Sequence, residues 1–147
     1  MIPLRGRALV TALAIGAALA SCASSGITSD ALQRSVATVF GNLYVRQQAL
    51  LGRPGLSPAT ADVLTSCGRG GAAGPNAQGP GDDWRCTVVW LDAGVRTRAI
   101  YDLRVRPTGC YTADGPAGVV GLQQLQRPNG TGTVNPLAAM DGCLDLS

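Results

Sequence analysis

The side chains that could do chemistry in this chain are of few kinds. Among its 147 residues are 12 basic residues, all of them arginine, and 9 acidic residues, all of them aspartate, and there is no histidine. This composition excludes histidine general bases, Ser-His-Asp and Cys-His nucleophile pairs, the lysine of a phosphate-binding loop and histidine-ligated metal sites. Any chemistry would have to come from aspartate, arginine, tyrosine, serine, threonine and cysteine.

Acid–base catalysis would need two aspartates that converge on one substrate bond. The sequence offers three candidate pairs, which are Asp82 with Asp83, Asp92 with Asp102, and Asp141 with Asp145. No run of acidic residues has the spacing of a calcium-binding EF-hand loop, and we predict no metal and no cofactor. An Asp-based hydrolase is the least favoured interpretation, because a chain with six aromatic residues has little from which to build a substrate cleft. We therefore expect a protein that is not an enzyme.

Arginine supplies the one cluster of charge. Four arginines lie at even-numbered positions near the middle of the chain, namely Arg96, Arg98, Arg104 and Arg106. A β-strand would place them on one face, where they could bind an anionic partner such as lipid headgroups, cell-wall phosphates or an acidic protein. The competing interpretation is the solvated side of a sheet, which Asp102 partly neutralises. The arginines do not form the kind of basic patch that nucleic acid needs, so we expect no nucleic-acid partner.

The amino terminus has the pattern of an export signal. Arg5 and Arg7 precede an apolar run over 8–20, which is shorter than the roughly 20 residues that a membrane-spanning helix needs. The quartet Leu19-Ala20-Ser21-Cys22 then resembles the lipobox of bacterial lipoproteins. The resemblance implies that residues 1–21 are a removed signal peptide and that Cys22 carries the lipid. It also implies a protein anchored on the extracytoplasmic face of the cell membrane. An ordinary signal peptide, cut after a small residue, is the alternative.

Four cysteines remain once Cys22 is set aside, and four is an even number. No two of them form a Cys-x-x-Cys motif, so a zinc knuckle or a thioredoxin-like site has no support. Outside the cell membrane, four thiols indicate two disulfide bonds, for which the sequence allows three pairings. We favour Cys67–Cys86 together with Cys110–Cys143, because each pair closes one irregular stretch of the chain.

A helix and a β-hairpin must position these side chains. Apolar residues at three- and four-residue steps predict a helix from about 30 to 51, with Asp30 and Gln33 as a capping box. Ser57-Pro58 begins a second, short helix that is predicted to run to about Thr65. Strands are predicted over 84–91 and 97–105, joined by a turn at 92–94. Opposing Trp90 to Thr97 aligns them, so that their apolar residues share one face that the helix can cover.

The rest of the chain is less regular. Residues 68–83 hold six glycines and two prolines, which predicts a loop. A short third strand is predicted at 110–113 and one more short element within 119–125. The segment from 135 to 147 has few periodic features, and we expect Cys143 to pin it to the domain.

Several short motifs resemble those of small secreted lipoproteins of high-GC bacteria to which no activity is assigned. These motifs include Asp-Trp-Arg-Cys-Thr-Val at 83–88, Gly-Cys-Tyr-Thr-Ala-Asp-Gly-Pro at 109–116 and Asp-Gly-Cys at 141–143. The similarity would cover about residues 60–145. It implies a cysteine-stapled structure and an envelope location, and it carries no catalytic residue.

The sequence therefore predicts a signal peptide over 1–21, a tether over 22–29 and a single extracytoplasmic α+β domain over 30–147. In that domain one long helix packs on a small antiparallel sheet that is stapled by two disulfides. We expect a non-catalytic binding or envelope-associated module, whose partner is an envelope protein or an anionic cell-wall component. The alternative is a carrier of a small apolar or amphiphilic ligand, held between the helix and the sheet.

Overall fold

The computed structural model describes residues 26–70 and 77–146. The predicted signal peptide, Cys22 and the middle of the glycine-rich loop therefore lie outside the described residues. The described chain has the predicted α+β fold, with one long helix on an antiparallel sheet and two disulfides. The predicted boundary between tether and domain is too late, because Ile27 and Ser29 are already buried.

The long helix α1 comprises Ser29–Leu50. Its buried apolar residues recur every four positions and form the stripe that packs on the sheet. These residues are Leu32, Val36, Phe40 and Tyr44. The helix was therefore predicted correctly to within one residue at each end.

The cap of α1 differs from the predicted one. Thr28, which precedes the helix, is the N-cap, and its hydroxyl accepts a hydrogen bond from the backbone N–H of Ala31 at 3.1 Å. Gln33 does not complete a capping box. Its amide Nε2 donates to the Asp30 carboxylate at 3.1 Å, and its Oε1 accepts from the backbone N–H of Cys67 at 3.4 Å. Gln33 thus links α1 to the sheet.

The second helix, α2, is much shorter than predicted and comprises Pro58–Ala61. Ser57 is its N-cap and proline occupies the first turn, as the sequence indicated. The helix does not reach Thr65, because Asp62 takes the left-handed conformation with φ of 43° and turns the chain into a strand. The residues predicted to end a helix instead begin an edge strand.

Seven strands follow in chain order. They are β1 Leu64–Arg69, β2 Gly81–Asp92, β3 Val95–Val105, β4 Cys110–Asp114, β5 Gln124–Gln126, β6 Gly132–Val134 and β7 Ala139–Cys143. A short helix, α3 Ala117–Val120, lies between β4 and β5. The main sheet has the order β1-β2-β3-β4-β7 with antiparallel neighbours throughout, and β5 and β6 pair separately. The predicted loop over 68–83 is too long, because both of its ends belong to strands.

The central hairpin has the predicted register. Trp90 pairs with Thr97, which carries Cys86 opposite Tyr101. The turn is two residues long, with φ of 49° at Ala93 and 83° at Gly94. Positive φ at both positions is the geometry of the turns that match the twist of a hairpin.

Aromatic rings fill the space between α1 and the sheet. The Phe40 ring lies 4.8 Å from Trp90 and 6.0 Å from Tyr101, measured between ring centroids. Tyr44 lies 6.4 Å from Trp90. Because α1 contacts both edge strands, β1 and β7, the sheet wraps around the helix. The place where a carried ligand was expected is occupied by these side chains.

The two faces of the sheet differ in cover. We call the side under α1 the covered face and the other side the open face. The covered face of β2 carries Trp84, Cys86, Val88 and Trp90, all buried. The open face of β3 carries the residues between the buried ones, and they are exposed or half-buried.

Both predicted disulfides are confirmed. Each joins residues that lie directly opposite one another on antiparallel neighbours, Cys67 with Cys86 and Cys110 with Cys143. The first pair is on the covered face and is buried, whereas Cys143 is exposed on the open face. Each disulfide ties an edge strand to its inner neighbour, and the second one pins the tail as expected.

The two ends of the described chain meet at one pole of the domain. A Cβ placed on Gly26 would lie 3.1 Å from Cδ2 of Leu146, and one on Gly109 would lie 2.8 Å from Cδ1 of the same leucine. Gly109 belongs to the turn between β3 and β4. The β2–β3 turn lies at the other end of β3, roughly 33 Å away for ten extended residues.

Candidate functional site

The arginine row lies on the open face, as its spacing predicted. Arg98 and Arg104 are exposed, and neither forms an ion pair within the described residues. Arg106 lies just after β3, in the turn at the pole where the chain ends meet, and is also exposed. These three arginines leave their guanidinium groups available to a partner.

Arg96 has a structural role. Its guanidinium donates to the backbone oxygen of Asp62 at 3.0 Å and to the Asp62 carboxylate at 2.5 Å. Asp62 is the left-handed residue that ends α2, so this double contact holds the end of α2 against β3. Arg96 is therefore already engaged, and it is a weaker candidate for partner binding than the other three arginines of the row.

Sequence reasoning missed Arg85. It lies on the open face of β2, opposite Asp102, and its Nε donates to the Asp102 carboxylate at 2.8 Å. The predicted hairpin register already implied this contact, since Cys86 opposite Tyr101 puts their neighbours side by side. The pair leaves Asp102 unable to neutralise Arg98 or Arg104 fully.

Acidic residues bound the basic stripe on one side. Asp114 on β4 pairs with Asp102, and Asp141 on β7 lies opposite Thr112, which in turn lies opposite Arg104. The open face is therefore basic over β2 and β3 and acidic over β4 and β7. A partner that covered the whole face would have to match both signs of charge.

Apolar side chains share the open face with the arginines. Leu64 on β1 is 57% exposed and pairs with Val89, which pairs with Arg98. Ile100, two residues further along β3, is 46% exposed. Apolar area interleaved with arginine is the composition of protein interfaces more than of surfaces that bind only phosphate.

The candidate aspartate pairs do not have the environment that acid–base catalysis needs. Asp82, Asp83 and Asp102 line one depression of about 400 Å³. However, Asp83 forms an ion pair with Arg69 at 2.7 Å, and that arginine lowers the pKa of the Asp83 carboxyl. A general acid requires a raised pKa instead. Within the described ranges, no three acidic or cysteine residues cluster in a way that could hold a metal ion.

The other two pairs are separated or marginal. Asp92 and Asp102 stand ten residues apart along the β2–β3 hairpin, and Asp92 accepts a hydrogen bond from the Tyr44 hydroxyl at 2.8 Å. Asp141 lies on the exposed edge strand β7, and Asp145 follows that strand. Neither pair converges in a cleft.

The tyrosine hydroxyls are unsuited to act as bases at neutral pH. Burial, and the hydrogen bond to Asp92, raise the pKa of Tyr44 to about 12. Burial also raises the pKa of Tyr101, whose hydroxyl donates to the Leu137 carbonyl at 2.8 Å. The pKa of Tyr111 is raised by burial, and the hydrogen bond with Ser35 opposes that shift only in part.

A cavity of ligand size lies at the carboxyl end of α1. It has a volume of about 340 Å³, at the lower end of the range for small-molecule sites. The end of α1, the connection to α2 and the β2–β3 turn form its walls. Sequence reasoning could not find it, because it assembles from three segments that are far apart in the chain.

None of the helices within 26–70 and 77–146 combines the length and the apolar character that crossing a bilayer would need. Comparison of the chain with protein-family models, with curated proteins and with solved structures finds no match.

Proposed function

We propose that this chain is a lipid-anchored lipoprotein of the bacterial cell envelope and that it binds a partner rather than catalysing a reaction. The observation that carries the proposal is the meeting of the chain ends at one pole. Gly26 lies at that pole beside Leu146 and is only four residues from Cys22. Four extended residues span roughly 14 Å, so a lipid on Cys22 would keep this pole near the extracytoplasmic surface of the membrane.

The anchor would leave the open face accessible. The strands of the main sheet run from the membrane-proximal pole to the opposite one, and α1 covers only their other side. Arg106 lies at the proximal pole, where anionic headgroups would attract it. The open face would therefore stand upright from the bilayer and could be reached by a protein in the envelope.

The partner we propose is a protein with an acidic and apolar contact surface. Arg98 and Arg104 have no intramolecular ion pair within the described residues, and Ile100 lies between them on β3. Arginines at the centre of an interface contribute strongly to binding when they are desolvated beside apolar groups. A purely polyanionic partner, such as a cell-wall polymer, would leave this apolar area uncovered.

Intact mass of the protein taken from its own membranes tests the anchor. We expect a chain that begins at Cys22, carries added acyl groups and lacks four hydrogens for the two disulfides. Two acyl chains would hold it stably, since each buried methylene contributes about 0.8 kcal/mol. An unacylated chain that begins elsewhere would contradict the proposal.

Site-specific photocrosslinking in intact cells tests the contact surface. A photoreactive amino acid placed at Ile100 should give one discrete protein adduct, because that residue lies within the proposed interface. Arg98→Asp together with Arg104→Asp should abolish the adduct by reversing the charge around it. Arg34→Asp is the matched control, since Arg34 is an exposed arginine on α1, away from the open face. Equal loss in the control, or an adduct that survives the double change, would remove the claim for this face.

A further inference from the structure

The cavity at the carboxyl end of α1 has apolar walls. Leu56 and Pro54 come from the connection to α2, and Leu91 comes from the end of β2. Leu56 is 39% exposed at the cavity, an unusual position for a leucine in a loop. These side chains lose contact with water when an apolar group enters, and that loss favours binding.

Two polar groups converge on the same space. Arg53 lines the cavity and forms no ion pair within the part of the chain that the structure describes. Gln48 also lines it and is only 3% exposed. Its amide makes one long contact, from Nε2 to Oε1 of Gln47 at 3.4 Å, and its own Oε1 accepts no hydrogen bond from a described residue. A buried amide with a vacant acceptor is a group that a ligand can satisfy.

The floor of the cavity is fixed in place. Tyr44 contributes to the lining, and its hydroxyl is held by Asp92. Its ring packs on Trp90, whose buried indole Nε1 has no hydrogen-bond partner in the described residues. Ala93, at the rim, adopts φ of 49°, a conformation that only a few residues other than glycine take. Backbone strain of this kind tends to occur at binding sites.

The charge in the cavity favours an anion. Asp92 is the nearest acid, but it lies behind the Tyr44 hydroxyl that donates to it. The end of α1 carries a partial negative charge of about half an elementary charge. Its last carbonyls already accept hydrogen bonds from the N–H groups of Leu51, Gly52 and Arg53. The full charge of the Arg53 guanidinium therefore dominates at the mouth of the cavity.

We propose that this cavity binds a small amphiphile with an apolar body and one acidic head group. The apolar body lies against Leu56, Pro54 and Leu91, and the acidic group forms charge-assisted hydrogen bonds with Arg53. A hydroxyl or amide N–H on the ligand can donate to Gln48. This site is separate from the open face, and the inference does not depend on the proposed partner protein.

Photoaffinity labelling of the full-length protein tests this proposal. The protein is taken from its own membranes and placed in phosphatidylcholine nanodiscs, and the probe is a ten-carbon straight-chain carboxylate with a diazirine in its chain. After irradiation, mass spectrometry of the digested protein should find the label on 54–60 and 91–94. Octanoate should compete with the probe, and octanol, its uncharged counterpart, should not.

Two variants and two matched controls decide the outcome. Arg53→Gln should lower labelling about tenfold, the effect of losing one charged hydrogen-bond partner. Leu56→Ser should lower it through the lost apolar wall. Arg98→Gln and Leu64→Ser remove an exposed arginine and an exposed leucine of the open face, and neither should change labelling. Because all four residues are at the surface, retention of both disulfides and of the far-UV circular dichroism checks the fold.

Three results would overturn the proposal. They are label spread over the chain without enrichment at the cavity, competition by octanol equal to that by octanoate, and equal loss in Arg53→Gln and Arg98→Gln. Failure of the proposed function is distinguishable, because it appears as an unacylated chain or as an unaltered crosslink at the open face. Neither of those results changes the labelling of the cavity.

Discussion

The covered and the open face of the main sheet carry the same kinds of structural device in different surroundings. Each face has one disulfide between directly opposed residues, but Cys67–Cys86 is buried under α1 and Cys110–Cys143 borders solvent. Each face also has polar contacts, which are buried hydroxyl-to-backbone bonds on one side and exposed ion pairs on the other. The comparison teaches that stability is concentrated on the covered face and that the open face is free to change for binding.

The disulfides should show the largest difference. Replacing Cys67 and Cys86 by alanine should cost about 3 kcal/mol from loop closure and roughly 1 kcal/mol for each buried sulfur. Replacing Cys110 and Cys143 should cost about 3–4 kcal/mol, because the longer loop adds little and less packing is lost. Chemical denaturation of the two double variants measures both values. A larger loss for the pair on the open face would reverse the comparison.

Access to reductant sharpens the same contrast. With a mild reductant under native conditions, we expect Cys110 and Cys143 to be alkylated first, because Cys143 is exposed. Cys67 and Cys86 should react only when the domain opens. Peptide mapping of the alkylated cysteines over time gives the order. Simultaneous labelling of all four would mean that the domain opens as one unit before either disulfide is reduced.

Two neighbouring positions on β3 provide a second test. Leu103 is fully buried on the covered face, and Ile100 is 46% exposed on the open face. Leu103→Ala should lower the free energy of unfolding by about 3 kcal/mol, through lost burial and the cavity left behind. Ile100→Ala should lower it by less than about 1 kcal/mol. Equal effects from urea unfolding would mean that something covers the open face of the isolated protein.

The smallest effect is expected in alkali, and it concerns the covered side alone. Burial raises the pKa of Tyr44 to about 12, from its usual value near 10. Because the folded state holds the proton more tightly, this stabilisation is complete below pH 10 and is lost as the pH rises towards 12. Tyrosinate absorbance at 295 nm should stay low at pH 10.5 in the folded protein and rise on unfolding in urea. Normal titration of the folded protein would contradict the burial of these hydroxyls.

The parts of the fold that could be read from the sequence are those whose own residues carry a strong pattern. Helix α1 has a four-residue apolar repeat, and β3 alternates cleanly, so their bounds and the hairpin register follow. The pairing of the cysteines followed from loop closure, and the contact between Arg85 and Asp102 was implicit in the register.

The parts that were missed depend on distant partners. Strand β1 pairs with β2, and its outer edge is held by Gln33 of α1, so it needs few apolar residues of its own. Strand β7 has a single buried apolar residue, Met140, and owes its place to β4 and to Cys143. The cavity needs Gln48, Arg53 and Leu91 together, and no local pattern links them. Asp62 likewise ended α2 early through a contact with Arg96, 34 residues away.

The closeness of Gly26 and Leu146 makes the chain a natural subject for circular permutation. A short linker between these two ends, with a new opening at Ala93-Gly94, would keep every strand pairing of the main sheet. The permuted chain would enter and leave at the β2–β3 turn, so a lipid on its new amino terminus would invert the domain on the bilayer. The direction in which this molecule faces is thus set by where the backbone is cut, and a single engineered cut can reverse it.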